Sequence, residues 1–163
     1  MRDLGSPAHH RRWFEHIIAN YGDNAVLSVV YKDDKPAGAG IVLKNGRNAC
    51  IPWASTVREF NRLAPNMLLY WSLLEHCADN NVASFDFGRS TFNEGTYKFK
   101  KQWGALPQLL DWQSIDNNNE VQKNDTPQGE KGKIRQVVES IWPKLPLGLS
   151  VSLGSRIRPF ISL

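Results

Sequence analysis

Cysteine is scarce in this chain. Cys50 and Cys77 are its only two, and their separation fits neither a disulfide framework nor a zinc ligand set, so both read as buried apolar thiols of a reducing compartment. Long apolar runs are missing too: nothing approaches the roughly 18 residues of a membrane span. The residues after Met1 are polar, charged and interrupted by proline, so no secretory signal is expected and the cytoplasm is the default address. There is no phosphate-loop lysine motif, no nucleophile elbow, no H-E-x-x-H and no G-x-G-x-x-G following a strand. Nucleoside-triphosphate hydrolysis of the P-loop type, serine-hydrolase chemistry, zinc proteolysis and dinucleotide redox chemistry thus lose their usual signatures. His9 and His10 have no carboxylate or cysteine neighbours, which favours a solvated helix face over a metal site. No metal is expected.

Acidic residues are nearly absent from the last fifth of the chain. From Lys131 onward, Lys131, Lys133, Arg135, Lys144, Arg156 and Arg158 face Glu139 alone, a net charge of +5 within an overall +4. A basic tail on a near-neutral body points to an anionic partner, such as a membrane surface or a nucleic acid. With 163 residues and no repeat period, the length suits one domain. Residues 1–115 read as a folded unit and 116–132 as a flexible polar linker. Residues 133–163 read as a short amphipathic helix, spanning Ile134–Trp142, followed by a basic and apolar tail.

The richest stretch is Ser84–Gly104. Ala83, Phe85 and Phe87 alternate with Ser84 and Asp86 as a strand with one apolar face does. Gly88 lets the backbone turn out of the sheet, which delivers Arg89, Ser90 and Thr91 to the strand's C-terminal edge, where ligands sit in open α/β sheets. A helix follows, with Phe92, Thr96, Phe99 and Trp103 expected on its core face and Gly104 as its C-terminal stop. Lys98 and Lys101 point away from that face. Lys100 lies on its flank beside Tyr97, where its stem packs while the ammonium reaches along the boundary. This placement suits either a surface lysine or a fixed cation next to a ligand phosphate or a developing oxyanion.

The chain before it reads in order. Ser6 and Pro7 look like the cap and first residue of a helix bearing Trp13, Phe14, Ile17, Ile18 and Tyr21, ending near Gly22. Ala25–Tyr31, Ala37–Leu43 and Ala49–Trp53 are three strands with short connections, an antiparallel meander with Pro36 and Pro52 at strand ends. Ala37, Gly38, Ala39 and Gly40 suit either close approach of a substrate or packing under bulky side chains. Trp53–Arg62 reads as a polar loop holding Ser55, a reasonable place for substrate contacts. A long helix after Pro65 carries Met67, Tyr70, Trp71, Leu74 and Cys77 as its apolar stripe. Ala105–Ile115 is expected to be a further strand. The fold class is α/β with a mixed sheet: helix, three-strand meander, then helix, strand, helix, strand.

The motifs D-F-G-R-S at Asp86–Ser90, G-x-Y-x-F-K at Gly95–Lys100 and W-G at Trp103–Gly104 stand in this order with W-A-S at Trp53–Ser55, P-N at Pro65–Asn66, Tyr70–Trp71 and Trp112. Together they resemble the FemAB-like branch of the GNAT acyltransferase superfamily, in particular proteins associated with exosortase and PEP-CTERM systems. The resemblance implies a single GNAT-like domain, matching the C-terminal half of two-domain relatives, that transfers an acyl or aminoacyl group to an amine. It places the relatives' lysine on Lys100, which would stabilise the oxyanion or the donor's phosphates. Arg89 would orient substrate and Asp86 would pair with it, unless the two only pin the turn. Ser90, Tyr97, Trp53 and Ser55 complete the expected substrate-binding set.

The donors it implies are acetyl-CoA, other acyl-CoAs or aminoacyl-tRNA. The acceptor would be a small-molecule or cell-envelope precursor amine, and a second GNAT-like half or a homodimer would be a partner. Peripheral contact of residues 131–163 with the inner face of the membrane is a further expectation. The glycine-rich pyrophosphate loop Q/R-x-x-G-x-G/A of acetyl-CoA-dependent members is missing. A non-catalytic half-domain serving as a binding or assembly module is the alternative reading.

Overall fold

The computed structural model describes residues 7–111, 113–115, 121–122 and 141–158. Helix α1 (Arg11–Tyr21) leads through a 3-10 turn into strands β1 (Ala25–Lys32), β2 (Lys35–Asn45) and β3 (Asn48–Thr56). A second 3-10 turn (Arg58–Leu63) precedes α2 (Pro65–Asp79), β4 (Ser84–Asp86) and α3 (Gly95–Gln102). The strands form one mixed sheet in the order β1-β2-β3-β4. Its first two pairings are antiparallel, and β3 runs parallel to β4 through the α2 crossover. The meander forms because the connections suit tight hairpins: Asp33 and Asp34 both adopt positive φ, as does Gly46.

The core lies between the sheet and α2. Val30, Val42, Ala49 and Ile51 from the sheet pack on Leu69, Leu73 and Cys77, with Val26, Tyr70, Val82 and Phe85 around them. A side chain at Gly40 would meet Leu73 and Leu69, so the small residues of β2 serve packing at that position. The Ser28 and Ser72 hydroxyls also share a 2.9 Å hydrogen bond across the same seam. Between Ile41↔Trp53 and Leu43↔Cys50 the β2/β3 register slips, so that Ile51 and Pro52 together oppose Val42. This β-bulge flips the alternation of β3: Ala49 and Ile51 face α2, while Trp53 and Ser55, paired with Ile41 and Ala39, share the opposite face with Cys50.

Several expectations are corrected. Helix α1 begins at Arg11, not Pro7: His10 is the N-cap, and its ring accepts from the Arg12 N–H, satisfying an otherwise orphan donor. Ser6 lies outside the described residues. Strand β3 continues through Thr56 and a 3-10 turn follows, so Trp53–Arg62 is not a simple loop. Pro52 sits mid-strand at the bulge, where no ladder N–H is required. On α2 the buried stripe is Leu69, Leu73 and Cys77, while Met67 and Trp71 are exposed. This helix is apolar on several sides, so its composition alone does not fix its rotation. Helix α3 begins at Gly95, after Phe92; Phe92 and Thr96 are exposed, and of the expected stripe only Phe99 and the C-cap residue Trp103 are half-buried.

Ala105–Asp111 has no strand pairing, and only Ser114–Ile115 is extended (β5), paired with Val121–Gln122 (β6) away from the main sheet. Strand β6 falls inside the expected linker, most of which lies outside the described residues, as do Trp112 and all but the last two residues of the Ile134–Trp142 helix. Downstream, a 3-10 turn (Trp142–Lys144) and helix α4 (Leu147–Ile157) pack on the N-terminal segment. A side chain at Gly154 would meet the Ala8 backbone and the Trp142 ring, both at 3.2 Å.

Candidate active site

The parallel pair β3/β4 is short. Asn48, Ala49 and Cys50 lie beside Ser84, Phe85 and Asp86, after which β4 ends while β3 runs on to Thr56. The described residues place no strand beside Ile51–Thr56 on that side, so the sheet opens into a wedge bordered by β3. The turn after β4 forms the facing wall. It departs at Gly88, whose φ of +73° suits glycine. The Asp86 carboxylate fixes this turn by accepting from the Gly88 N–H at 2.7 Å, so its turn-pinning role is present in the structure.

Lys100 closes the turn from below. Its Nζ donates to the carbonyl oxygens of Gly88 at 2.9 Å and Arg89 at 2.8 Å. An ammonium has three protons, and these contacts use two. Burial lowers the Lys100 pKa from its ordinary value and the nearby Asp86 carboxylate opposes that shift. The ammonium is therefore half sunk and immobilised at the rim of the wedge, while Lys98 and Lys101 are exposed, as helix angle predicts.

Behind Lys100 stands an aromatic cluster. Tyr70 stacks on Phe87 with ring centroids 5.9 Å apart and meets Phe99 edge-on at 4.9 Å. Trp103 packs on both Tyr70 and Phe99, and burial raises the Tyr70 hydroxyl pKa. These rings make one wall of the turn apolar and stiff. Ser90 Oγ and Trp103 Nε1 are buried and have no hydrogen-bond partner among the described residues, so each can take one from water or a bound ligand.

Asp86, Arg89, Ser90 and Lys100 thus come together on one turn, as the sequence motifs suggest, with Arg89 exposed. Tyr97 is half-buried one turn from that group and packs on Phe92. Trp53 and Ser55 lie on β3 beyond the bulge, and Trp53 packs edge-on against His9 and Phe14. Cys50 belongs to this neighbourhood as well: its thiol pKa is raised by burial and by Asp86. Sequence reading missed this, since the two residues meet only through strand pairing. Pro52 inside a strand was the one legible signal of the bulge. Among the described residues no cluster of His, Cys, Asp or Glu is arranged to hold a metal ion.

The acetyltransferase (GNAT) domain model matches residues 1–101. The ribosomal-protein-S18-alanine N-acetyltransferase of Escherichia coli superposes with a TM-score of 0.53 at 12% identity, over 66% of this chain and 70% of that one. The glucosamine-6-phosphate N-acetyltransferase of Arabidopsis thaliana superposes with a TM-score of 0.50 at 21% identity, over 64% and 74% respectively. At these identities the likeness is one of fold. No curated protein sequence matches the chain.

Proposed function

Since the chain belongs to the acetyltransferase (GNAT) domain family, we propose that its wedge transfers an acyl group from an activated carrier to a primary amine, in the manner of the FemAB-like branch. The amine nitrogen attacks the donor's carbonyl carbon, the carbon–sulfur or carbon–oxygen ester bond breaks, and the amine's proton ends on the departing thiol or hydroxyl. No covalent enzyme intermediate is needed, in keeping with the lack of a paired nucleophile and base. The protein's contribution is positioning and electrostatics.

The observation that carries this reading is the Lys100 ammonium, tied by two protons to the Gly88 and Arg89 carbonyls with the third uncommitted among the described contacts. A cation fixed before the reaction stabilises the negative charge developing on the donor's carbonyl oxygen without paying to reorganise. The unsatisfied Ser90 hydroxyl and Trp103 indole N–H add further polar contacts for a substrate, and Arg89 holds an anionic part of it. Trp53, Ser55 and Tyr97 line the approach.

The donor is either an acyl-CoA or an aminoacyl-tRNA. The connection from β3 to α2 favours a FemAB-like donor site over a pyrophosphate cradle. It contains no glycine, Ala64 takes the left-handed conformation at φ +49°, and Pro65 opens α2, where it withholds one backbone N–H. Cell-envelope precursor amines are the acceptors this branch suggests. The test is turnover with acetyl-CoA, longer acyl-CoAs and aminoacyl-tRNA against a panel of amines, read by mass spectrometry of the acylated product. Transfer from one donor class supports the proposal. If none of these donors is turned over and none raises the melting temperature, the domain is a binding module instead.

A further inference from the structure

Helix α4 is amphipathic the wrong way round for a helix docked on its own domain. Its buried stripe is Ser150, Gly154 and Arg158, small or polar residues at i, i+4 and i+8. About 100° around the axis, Leu149, Leu153 and Ile157 repeat the same spacing but are 54%, 40% and 41% exposed. The polar stripe is held inward by specific contacts. Gly154 allows close approach to Ala8 and Trp142, and Arg158 Nε donates to His9 Nε2 at 3.2 Å. On the other flank, His10, Leu147, Val151, Ser152, Ser155 and Arg156 line an open groove.

The charge around this apolar stripe is predominantly positive. The two segments that meet here, residues 7–15 and 141–158, carry Arg11, Arg12, Lys144, Arg156 and Arg158 against one carboxylate, Glu15, which pairs with Arg11 at 2.8 Å. Of these, Arg11, Arg12, Lys144 and Arg156 are exposed. Trp13, which stacks on His9, is also 46% exposed, and tryptophan favours the boundary between water and an apolar phase. An exposed aliphatic stripe bordered mainly by cations, with the Arg11-paired Glu15 as the one carboxylate of these segments, matches the boundary of an anionic bilayer. Aliphatic side chains enter the acyl region while arginines meet the headgroups, their stems lying along the boundary. No helix among the described residues is long and apolar enough to cross a membrane.

We propose that the α4 face, with the neighbouring N-terminal cations, is a peripheral docking surface for an anionic lipid bilayer. An RNA would use the cations but gain nothing from Leu149, Leu153 and Ile157, which decides between the two classes of anionic partner. The inference is independent of the acyl-transfer reading, because the wedge and α4 share no residue.

Sedimentation of the full chain with vesicles of phosphatidylglycerol in phosphatidylcholine, against pure phosphatidylcholine vesicles, tests it. Binding to the anionic vesicles that weakens with added salt is expected, with little binding to neutral ones. Replacing one exposed cation, Arg156→Gln, should weaken binding roughly fivefold. The double variant Leu149→Ser and Leu153→Ser should weaken it on the order of tenfold or more, with unchanged circular dichroism. The proposal is overturned if anionic vesicles are not bound, or if the folded double variant binds as the parent does. It is equally overturned if a single-stranded RNA is bound and vesicles are not, or if light scattering shows a dimer that the double variant abolishes.

Discussion

Replacing Lys100 by methionine separates two jobs that one ammonium performs. The variant keeps a half-buried stem of similar length, and only the cation is lost. Two hydrogen bonds, to the Gly88 and Arg89 carbonyls, disappear with it. Both carbonyls lie on a turn within reach of water, which takes over part of their bonding. The stability cost is therefore at the low end for two charge-assisted bonds, about 3 kcal/mol for the pair. The cost to catalysis is separate: loss of a preorganised oxyanion donor typically lowers kcat by about 100- to 1,000-fold.

Denaturant unfolding and steady-state turnover with the donor that proves active measure the two effects side by side. The pH profile provides an independent check. Because burial lowers the folded-state pKa of Lys100 below its ordinary 10.5, the unfolded chain keeps its proton over the interval between those two values. Stability from this group therefore rises with pH across that interval. Turnover that needs the ammonium falls over the same interval, and this alkaline limb should be missing from the residual activity of Lys100→Met. A folded Lys100→Met with turnover within threefold of the parent would refute the electrostatic assignment and leave the lysine as a turn clamp.

Other outcomes follow from the packing and the charges. Leu73→Ala, at a fully buried site between α2 and the sheet, should cost about 3–5 kcal/mol in denaturant unfolding. Ala64→Gly should stabilise by roughly 0.5–1 kcal/mol, because position 64 is held at φ +49° and glycine relieves the strain. Asp86→Asn should lower the Cys50 pKa towards its ordinary value by removing a charge that raises it, which is visible as faster alkylation of Cys50 at fixed pH. His9 is held below its ordinary 6.5 by burial and by the Arg158 charge. The unfolded histidine thus binds its proton first, and the seam between α4 and the N-terminal segment should loosen as pH falls through 6.5. Hydrogen exchange of α4 amides reports it.

The parts of this fold legible in the sequence are those set by local chemistry. The meander shows in the alternation of β1 and β2 and in turn residues able to take positive φ. The rotation of α3 near Lys100 shows in helix angle, and the sharp exit from β4 shows in Gly88. The parts that stayed hidden depend on distant partners. The wide apolar circumference of α2 leaves its rotation undetermined until the sheet selects Leu69, Leu73 and Cys77. Leu106, Leu109 and Leu110 read as a strand but are exposed, because apolar spacing makes a strand only where a neighbour pairs with it. The bulge at Ile51–Pro52 reverses which residues of β3 face the wedge, and Asp86 reaches Cys50 only through the parallel pairing. The inward polar stripe of α4 likewise depends on His9, 149 residues before Arg158.

Hydrogen exchange of the full chain with and without a bound acyl donor tests the wedge most directly. Protection gathered on the β3 amides from Ile51 to Thr56 and on Gly88 to Ser90 is the predicted result. Protection confined to other elements, with these two walls exchanging as they do in the free protein, would contradict the placement of the reaction there.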